Sequence, residues 1–422
     1  MYKSEPLIQE GKVVSTILLT AVQYAWQHSP FYKRLFAHFD FTTPLSVEDW
    51  KKIPFTTKDD LSENNEAFLS IPKTEIADYV TTSGTTGSPV TIYLSRSDLK
   101  RLAINERDSL ALAGVKKGDV VQLTTTIDRQ FMAGMAYYLG VQELEAGMVR
   151  IGPGVPELQW DAILKYGPRV LIAVPSFILT LINYAKNKGI DYQNCSVESI
   201  VCIGESVRDD RFELNTLGSR ITKDWKVDLF STYASTEMAT AFTECKAQNG
   251  CHLNDQLMHL EVLDENGNEV PDGEEGEIVI TTLGVTGTPL IRYRTGDIAK
   301  RFLSDCSCGK NTPRLGPIVG RKNQMIKFKG TTIFPQAIFD VFESFQEIIC
   351  FKVIVEKDEI QNDRVVILLD EKLKGSPILE EVKLKCNSKL KVIPNFEFEL
   401  LEKIQAQVYK KNLRKPEKII FV

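Results

Sequence analysis

The chain has 422 residues, 43% hydrophobic and 25% charged, with a formal net charge of −5 and both signs interspersed. That length exceeds what one hydrophobic core usually serves, so two or more domains are expected, and the composition excludes extended disorder. The charge balance excludes a nucleic-acid-coating surface, so a small anionic ligand would need a local basic site.

Residues 13–22 place apolar side chains at 13, 14, 17, 18, 21 and 22, the spacing of a helix lying on a core. The run is too short to span a bilayer, and no secretory leader pattern precedes it. A cytoplasmic protein without membrane attachment is expected, in which the eight cysteines are reduced thiols or metal ligands. Residues 1–70 read as helical, with Trp26, Phe31, Tyr32 and Phe36 as packing residues. From about 79 to 300, strand-like runs at 120–123, 170–174, 199–203 and 227–230 alternate with helical stretches at 157–166, 176–187 and 207–217. That alternation predicts an α/β fold with ligand sites at strand ends. Residues 261–268 then run into an Asn266-Gly267 turn, and 277–281 form a second strand, so this stretch reads as antiparallel β. After Gly320-Arg321 the pattern restarts with strands at 325–328, 350–356, 363–369 and 395–401 and helices at 335–345 and 379–390. The expected architecture is a large N-terminal α/β domain over 1–322, with β-sheets and flanking helices, and a small α+β C-terminal domain over 323–422.

Residues 81–88 read TTSGTTGS, set between strand-like segments. Gly84 and Gly87 can adopt positive φ, which lets successive N–H groups converge on an anion, and the hydroxyls add donors. It is not a Walker loop, since no Lys follows Gly87. By itself the run fits a phosphate loop or a slack turn equally.

Its companions are Ser231-Thr232-Tyr233-Ala234-Ser235-Thr236-Glu237, Tyr293-Arg294-Thr295-Gly296-Asp297 and Gly320-Arg321 followed by Asn323. In this order they resemble the adenylate-forming superfamily of acyl-CoA synthetases and, within it, the phenylacetate–CoA ligase family. The resemblance runs from WQHSPFYKRLF nearly to the C-terminus. It implies ATP-dependent activation of a carboxylic acid, aryl or arylalkyl by preference, as an acyl-adenylate, followed by transfer to coenzyme A. It also implies that Ser83, Gly84, Thr85, Thr86 and Gly87 hold the β- and γ-phosphates. Thr236 would contact the α-phosphate, and Glu237 would hold Mg²⁺, a hard cation suited to a carboxylate. Gly204-Glu205-Ser206 matches in part the stretch that contacts adenine. Ser231, Thr232, Tyr233 and Ala234 lead into the phosphate and metal residues, Asp297 would serve the ribose hydroxyls, and Arg321 would reach ribose or phosphate. The small domain would be mobile about Asn323. Two departures stand out: Ala234 replaces a usual Gly and adds a methyl, and Asn323-Gln324 replace an Asp-Asp at the hinge. Transfer to a carrier protein or an amine, and a non-catalytic nucleotide-binding relative, are the alternative readings; a homodimer is left open.

Cys245, Cys251, His252, Cys306 and Cys308 are ligand types for tetrahedral zinc, yet Cys306-Ser307-Cys308 is C-x-C, so spacing alone leaves zinc and ordinary thiols both open. The resemblance implies structural zinc on an E-C…G-x-H stretch and a C-x-C-G stretch. Neighbours in extended chain point opposite ways, so one of Cys251 and His252 ligates, and alternation leaves open which; the G-x-H stretch of the resemblance favours the set Cys245, His252, Cys306 and Cys308. Cys195, Cys202, Cys350 and Cys386 read as core; His28, His38 and His259 read as surface or capping residues. Phe131 to Tyr138 would line the acid's pocket by position in the family, or form a core helix. The resemblance further implies a catalytic Lys near the C-terminus, where Lys415 is the best register match, against a solvated basic tail that includes Lys410, Lys411 and Lys418.

Overall fold

In the computed structural model, residues 13–82, 90–329, 331–357, 363–409 and 417–422 are described. Contacts divide the chain into two units, 1–295 with 299–318, and 296–298 with 319–422. The division lies ahead of the expected 322/323 boundary and takes Gly296 and Asp297 of the ribose motif, with Ile298, into the second unit.

The first unit opens with the helices Thr16–His28, Pro30–Leu35, Val47–Lys52 and Lys58–Glu63. Ser15, Ser29, Ser46 and Thr57 precede them, and each side chain accepts an otherwise unpaired N–H of the first turn. Leu18, Val22, Tyr32 and Trp50 on these helices, with Phe36 and Phe41 in the connection after the second, are buried in one core. The strands follow as β1 (Ile76–Thr81), β2 (Thr91–Ser95), β3 (Val120–Leu123), β4 (Gly147–Arg150), β5 (Val170–Ala173), β6 (Ser199–Cys202), β7 (Asp228–Ser235), β8 (Thr240–Glu244), β9 (Cys251–His252), β10 (Met258–Leu263), β11 (Glu275–Thr282), β12 (Tyr293–Phe302) and β13 (Arg314–Leu315). β1 and β2 form an antiparallel hairpin. The large sheet has the order β10-β11-β12-β13-β9-β8-β7-β6-β5-β3-β4. From β7 to β4 its neighbours are parallel; β7 pairs antiparallel with β8, as do β8 with β9, β9 with β13, β13 with β12, and β10 with β11.

β5 and β6 are buried at every position, as strands covered on both faces by helices must be. Alternation splits them between two layers. Leu171, Ala173, Ile200 and Cys202 pack with Trp160, Ile178 and Ile221, whereas Val170, Ile172 and Val201 pack with Leu110, Tyr137 and Val141. The helix expected at 207–217 is not there. Phe212 takes a left-handed φ of 64°, and the helix runs Thr216–Asp224, because Asn215 caps it by accepting the Gly218 N–H.

In the second unit, β14 (Gly320–Arg321) pairs antiparallel with Asp297 and Ile298. β15 (Ile326–Phe328) and β16 (Thr331–Ile333) form a hairpin. β17 (Lys352–Lys357), β18 (Asp363–Asp370), β19 (Asn395–Glu399) and β20 (Ile419–Phe421) make a sheet of order β19-β18-β17-β20. The helices Pro335–Glu343 and Pro377–Leu390 cover it through Ile338, Phe342, Val382 and Cys386.

Candidate active site

Ligands of parallel sheets gather at the carboxyl ends of the strands, where helix N-termini and loops converge. Several expected nucleotide elements meet there. The Thr81 N–H at the end of β1 donates to Gln130 O at 3.0 Å, in the loop that follows β3. Across the mouth of the hairpin, the Thr82 N–H donates to Val90 O at 3.0 Å, and the Val90 N–H to Thr82 Oγ1 at 3.1 Å. Ser83, Gly84, Thr85, Thr86 and Gly87 lie outside the described residues. The loop after β6 carries Gly204, with φ of 74°, Glu205 and Ser206. Both carboxylate oxygens of Glu205 are taken, by the Ser176 N–H at 2.8 Å and Ser176 Oγ at 2.9 Å, in the first turn of the helix Pro175–Lys188. The acid therefore sits at a helix N-terminus, where a negative charge is favoured.

β7 carries Ser231 to Ser235, with Ala234 exposed opposite Ala241 of β8. A turn follows, in which the Met238 N–H donates to Ser235 Oγ at 3.2 Å and Ala239 takes a left-handed φ of 47°. Thr236 and Glu237 lie half-buried on that turn. Arg101, buried on the helix Arg96–Leu112, holds it from behind. Its guanidinium donates to Ala239 O at 2.8 Å, Leu283 O at 2.7 Å and Leu257 O. Desolvation pulls this guanidinium down to about 10, with Asp98 opposing the shift.

In the second unit Asp297 and Arg321 are register partners, and Arg321 Nε donates to Asp297 Oδ1 at 3.1 Å. Asp297 is buried and the Arg321 side chain half-exposed. The two residues expected at the ribose thus pair with each other.

The ligand atoms of Cys245, His252, Cys306 and Cys308 all lie within 4.8 Å of one another. Cys245 Sγ is 3.7 Å from Cys306 Sγ, and Cys308 Sγ is 3.5 Å from His252 Nε2. A tetrahedron with zinc bond lengths has sulfur–sulfur edges of about 3.8 Å and sulfur–nitrogen edges of about 3.6 Å, so these donors fit that ion. His252 Nδ1 meets Thr312 Oγ1 at 2.9 Å, which orients the ring with Nε2 toward the thiols. Burial, with Arg314 and Lys310, pushes this imidazole down to about 4, into its neutral form. Cys251 points away, and its thiol donates to Ser231 O at 3.5 Å.

Residues 34–288 match the family of AMP-binding enzymes. The chain belongs to that family. Within it, the chain is a member of the phenylacetate–CoA ligase family of adenylate-forming enzymes, and so an acid–thiol ligase. It is 29% identical over 345 residues to a phenylacetate-coenzyme A ligase of Thermus thermophilus, covering 80% of this chain and 76% of the relative. A phenylacetate-coenzyme A ligase of Escherichia coli is 26% identical over 337 residues, covering 78% and 74%. In fold the chain is similar to a 2-hydroxyisobutyryl-CoA ligase solved in its postadenylation state with 2-HIB-AMP, at a TM-score of 0.82, 22% identity and coverage of 100% of this chain and 95% of that one.

In this AMP-binding enzyme the stretch 131–138 enters the helix Met132–Glu143, and Met132, Ala136 and Tyr137 are buried in core clusters. Gly134 is close-packed: a Cβ there would lie 2.0 Å from Thr126 O. Phe131, Ala133, Met135 and Tyr138 are only partly buried. Cys202, Cys350 and Cys386 are buried, and Cys195 is half-buried. His28 and His38 are exposed, but His259 is not a surface residue. It lies in the wholly buried β10, against Trp50 with ring centroids 5.5 Å apart. Lys410, Lys411 and Lys415 lie outside the described residues. Arg101 had no sequence signal, because its three acceptors are backbone carbonyls distant in the chain.

Proposed function

We propose that this enzyme activates an aryl or arylalkyl carboxylic acid with ATP and Mg²⁺ and passes the acyl group to coenzyme A. The observation that carries the proposal is the Thr236-Glu237 turn at the carboxyl end of a parallel strand, beside the Gly204–Ser206 loop, in a chain of the phenylacetate–CoA ligase family. The preference for an aromatic acid is supported by the named activity of relatives at 26–29% identity.

In the first half-reaction a carboxylate oxygen bonds to the α-phosphorus, and the bond to the bridging oxygen breaks, releasing pyrophosphate. In the second, the thiol sulfur bonds to the acyl carbon, the bond to AMP breaks, and the thiol proton passes to solvent. The protein's work is positioning and charge neutralisation. Ser83 to Gly87 cradle the β- and γ-phosphates, Thr236 meets the α-phosphate, and Gly204 to Ser206 flank the base. Because the Glu205 carboxylate is engaged by Ser176, the backbone of that loop meets the adenine. Asp297 accepts from the ribose hydroxyls, with Arg321 beside it, and Lys415 neutralises charge at the α-phosphate. Glu237 would hold Mg²⁺, which supplies Lewis-acid neutralisation of phosphate charge. Cys245, His252, Cys306 and Cys308 would hold a structural zinc, and the enzyme works in the cytoplasm, where its thiols stay reduced.

An acid panel scored by pyrophosphate release, with and without coenzyme A, tests this. Release with phenylacetate-like acids together with a CoA thioester is expected. Release without thioester would mean delivery to a carrier protein or an amine; silence with every acid would mean a non-catalytic relative.

A further inference from the structure

Arg208 and Glu244 form an ion pair that none of these roles uses. Their side chains are 5% and 2% exposed, and Arg208 Nε donates to Glu244 Oε1 at 2.7 Å. Such a pair seldom stabilises a fold better than apolar residues of the same size, so stability alone gives little reason to place one here.

Its further bonds join the nucleotide elements. Arg208 Nη2 donates to Leu229 O in β7 at 3.0 Å, and Nη1 donates to Phe212 O at 3.2 Å. Ser206 Oγ accepts the Arg208 N–H at 3.3 Å and donates to the Arg208 carbonyl at 3.0 Å. The second oxygen of Glu244 accepts the Ser231 N–H at 2.8 Å, one residue before the β7–β8 register begins at Thr232 and Thr243. With the Cys251 thiol on its carbonyl, the Ser231 backbone is held on both sides. The Ser231 hydroxyl is nevertheless buried and has no hydrogen-bond partner among the described residues. An unpaired buried hydroxyl costs about 1–3 kcal/mol, a cost removed when a ligand supplies the partner.

We propose that Arg208 and Glu244 are positioning residues for the nucleotide: their buried pair clamps the Gly204–Ser206 loop to Ser231, so that the Ser231 hydroxyl and the strand leading to Thr236-Glu237 are set before the nucleotide arrives. The proposal rests on the nucleotide assignment of those segments. Preorganisation of this kind changes ligand affinity through groups that never touch the ligand.

Glu244→Gln keeps the size and one acceptor for Ser231 but removes the charge facing Arg208. AMP binding by calorimetry and steady-state kinetics on the full chain are the measurements. The AMP Kd and the KM for ATP are expected to rise by on the order of tenfold, with kcat and the KM for the acid moving less than about twofold. Arg208→Lys should lose less AMP affinity than Arg208→Met, since it keeps the charge without the fork. A folded Glu244→Gln protein with parental AMP affinity and a lowered melting temperature would overturn the proposal and leave a purely structural pair. If Glu244→Gln does not fold, Arg208→Lys carries the same binding measurement, with parental affinity again the overturning result. A parent that binds no AMP removes the nucleotide assignment and this proposal with it, whereas a parent that binds AMP no better than the variant removes the proposal alone.

Discussion

Glu106 lies buried in the helix Arg96–Leu112, with one carboxylate oxygen accepting from Asn105 Nδ2 at 3.2 Å and the other without a partner among the described residues. Desolvation pushes its carboxyl up from 4.5 to about 7, against the Asn105 bond. A raised acid stabilises the fold while protonated: its contribution is complete below pH 4.5 and is lost as pH rises through 7. The full loss is about 3 kcal/mol, so Glu106→Gln should gain stability on the parent between pH 5 and pH 8. A melting-temperature difference that stays flat across that range would contradict this. His259 works in the opposite direction. Burial, with Arg301 and Arg292 against Glu269, pushes its imidazole from 6.5 down to about 4, so stability complete above pH 6.5 falls as pH drops toward 4. At Asp297, replacement by Ala removes a charged acceptor, and hydrogen bonds to such groups are worth about 1.5–3 kcal/mol. Apparent ATP affinity should fall by about tenfold to a hundredfold; an unchanged KM for ATP would reduce Asp297 to the ion-pair partner of Arg321.

Among the elements, the Cys/His cluster yields the clearest expectation. Metal analysis of protein purified without chelator should find about one zinc per chain, and Cys306→Ser should lower the melting temperature by at least about 5 °C before it changes the chemistry. A metal-free protein with parental stability would refute both. The sequence showed this cluster in part: alternation along Cys251-His252 allows one of the two to ligate, the family resemblance favours His252, and in the structure it is His252 that turns toward the thiols. The buried strands were legible for a similar reason: β5 and β6 are short apolar runs whose period sorts them between two helix layers. The segment 207–217 was not. Its apolar residues fit a helix, but the left-handed Phe212 and the Asn215 cap delay the helix to Thr216. The clamps at Arg101 and Arg208 were equally hidden, since an arginine that donates to distant carbonyls leaves no local spacing to read. The buried His259 shows the same limit, because an alternating pattern cannot reveal that both faces of β10 are covered.

At the scale of the whole chain, the proposed chemistry divides into two half-reactions that a single lysine separates. Lys415→Ala should cut acyl-adenylate formation by on the order of a hundredfold while leaving thioester formation from supplied acyl-adenylate nearly intact. Equal loss in both half-reactions would move the role to Lys411 or Lys410. The order of segments along the chain carries one more consequence. Gly296–Ile298 and Val319–Val422 form one unit, and the intervening Ala299–Ile318 returns to the other, carrying Cys306 and Cys308 with it. A chimaera with another ligase joined at residue 318 would therefore take Asp297 from one parent and Arg321 from the other. A graft beginning at residue 296 keeps that pair together but draws two of the four metal ligands from the donor gene. After Cys245, only a junction beyond Arg321 leaves both sets on one parental fragment, and that junction cuts within the second unit, separating Gly296–Ile298 and β14 from the rest of it.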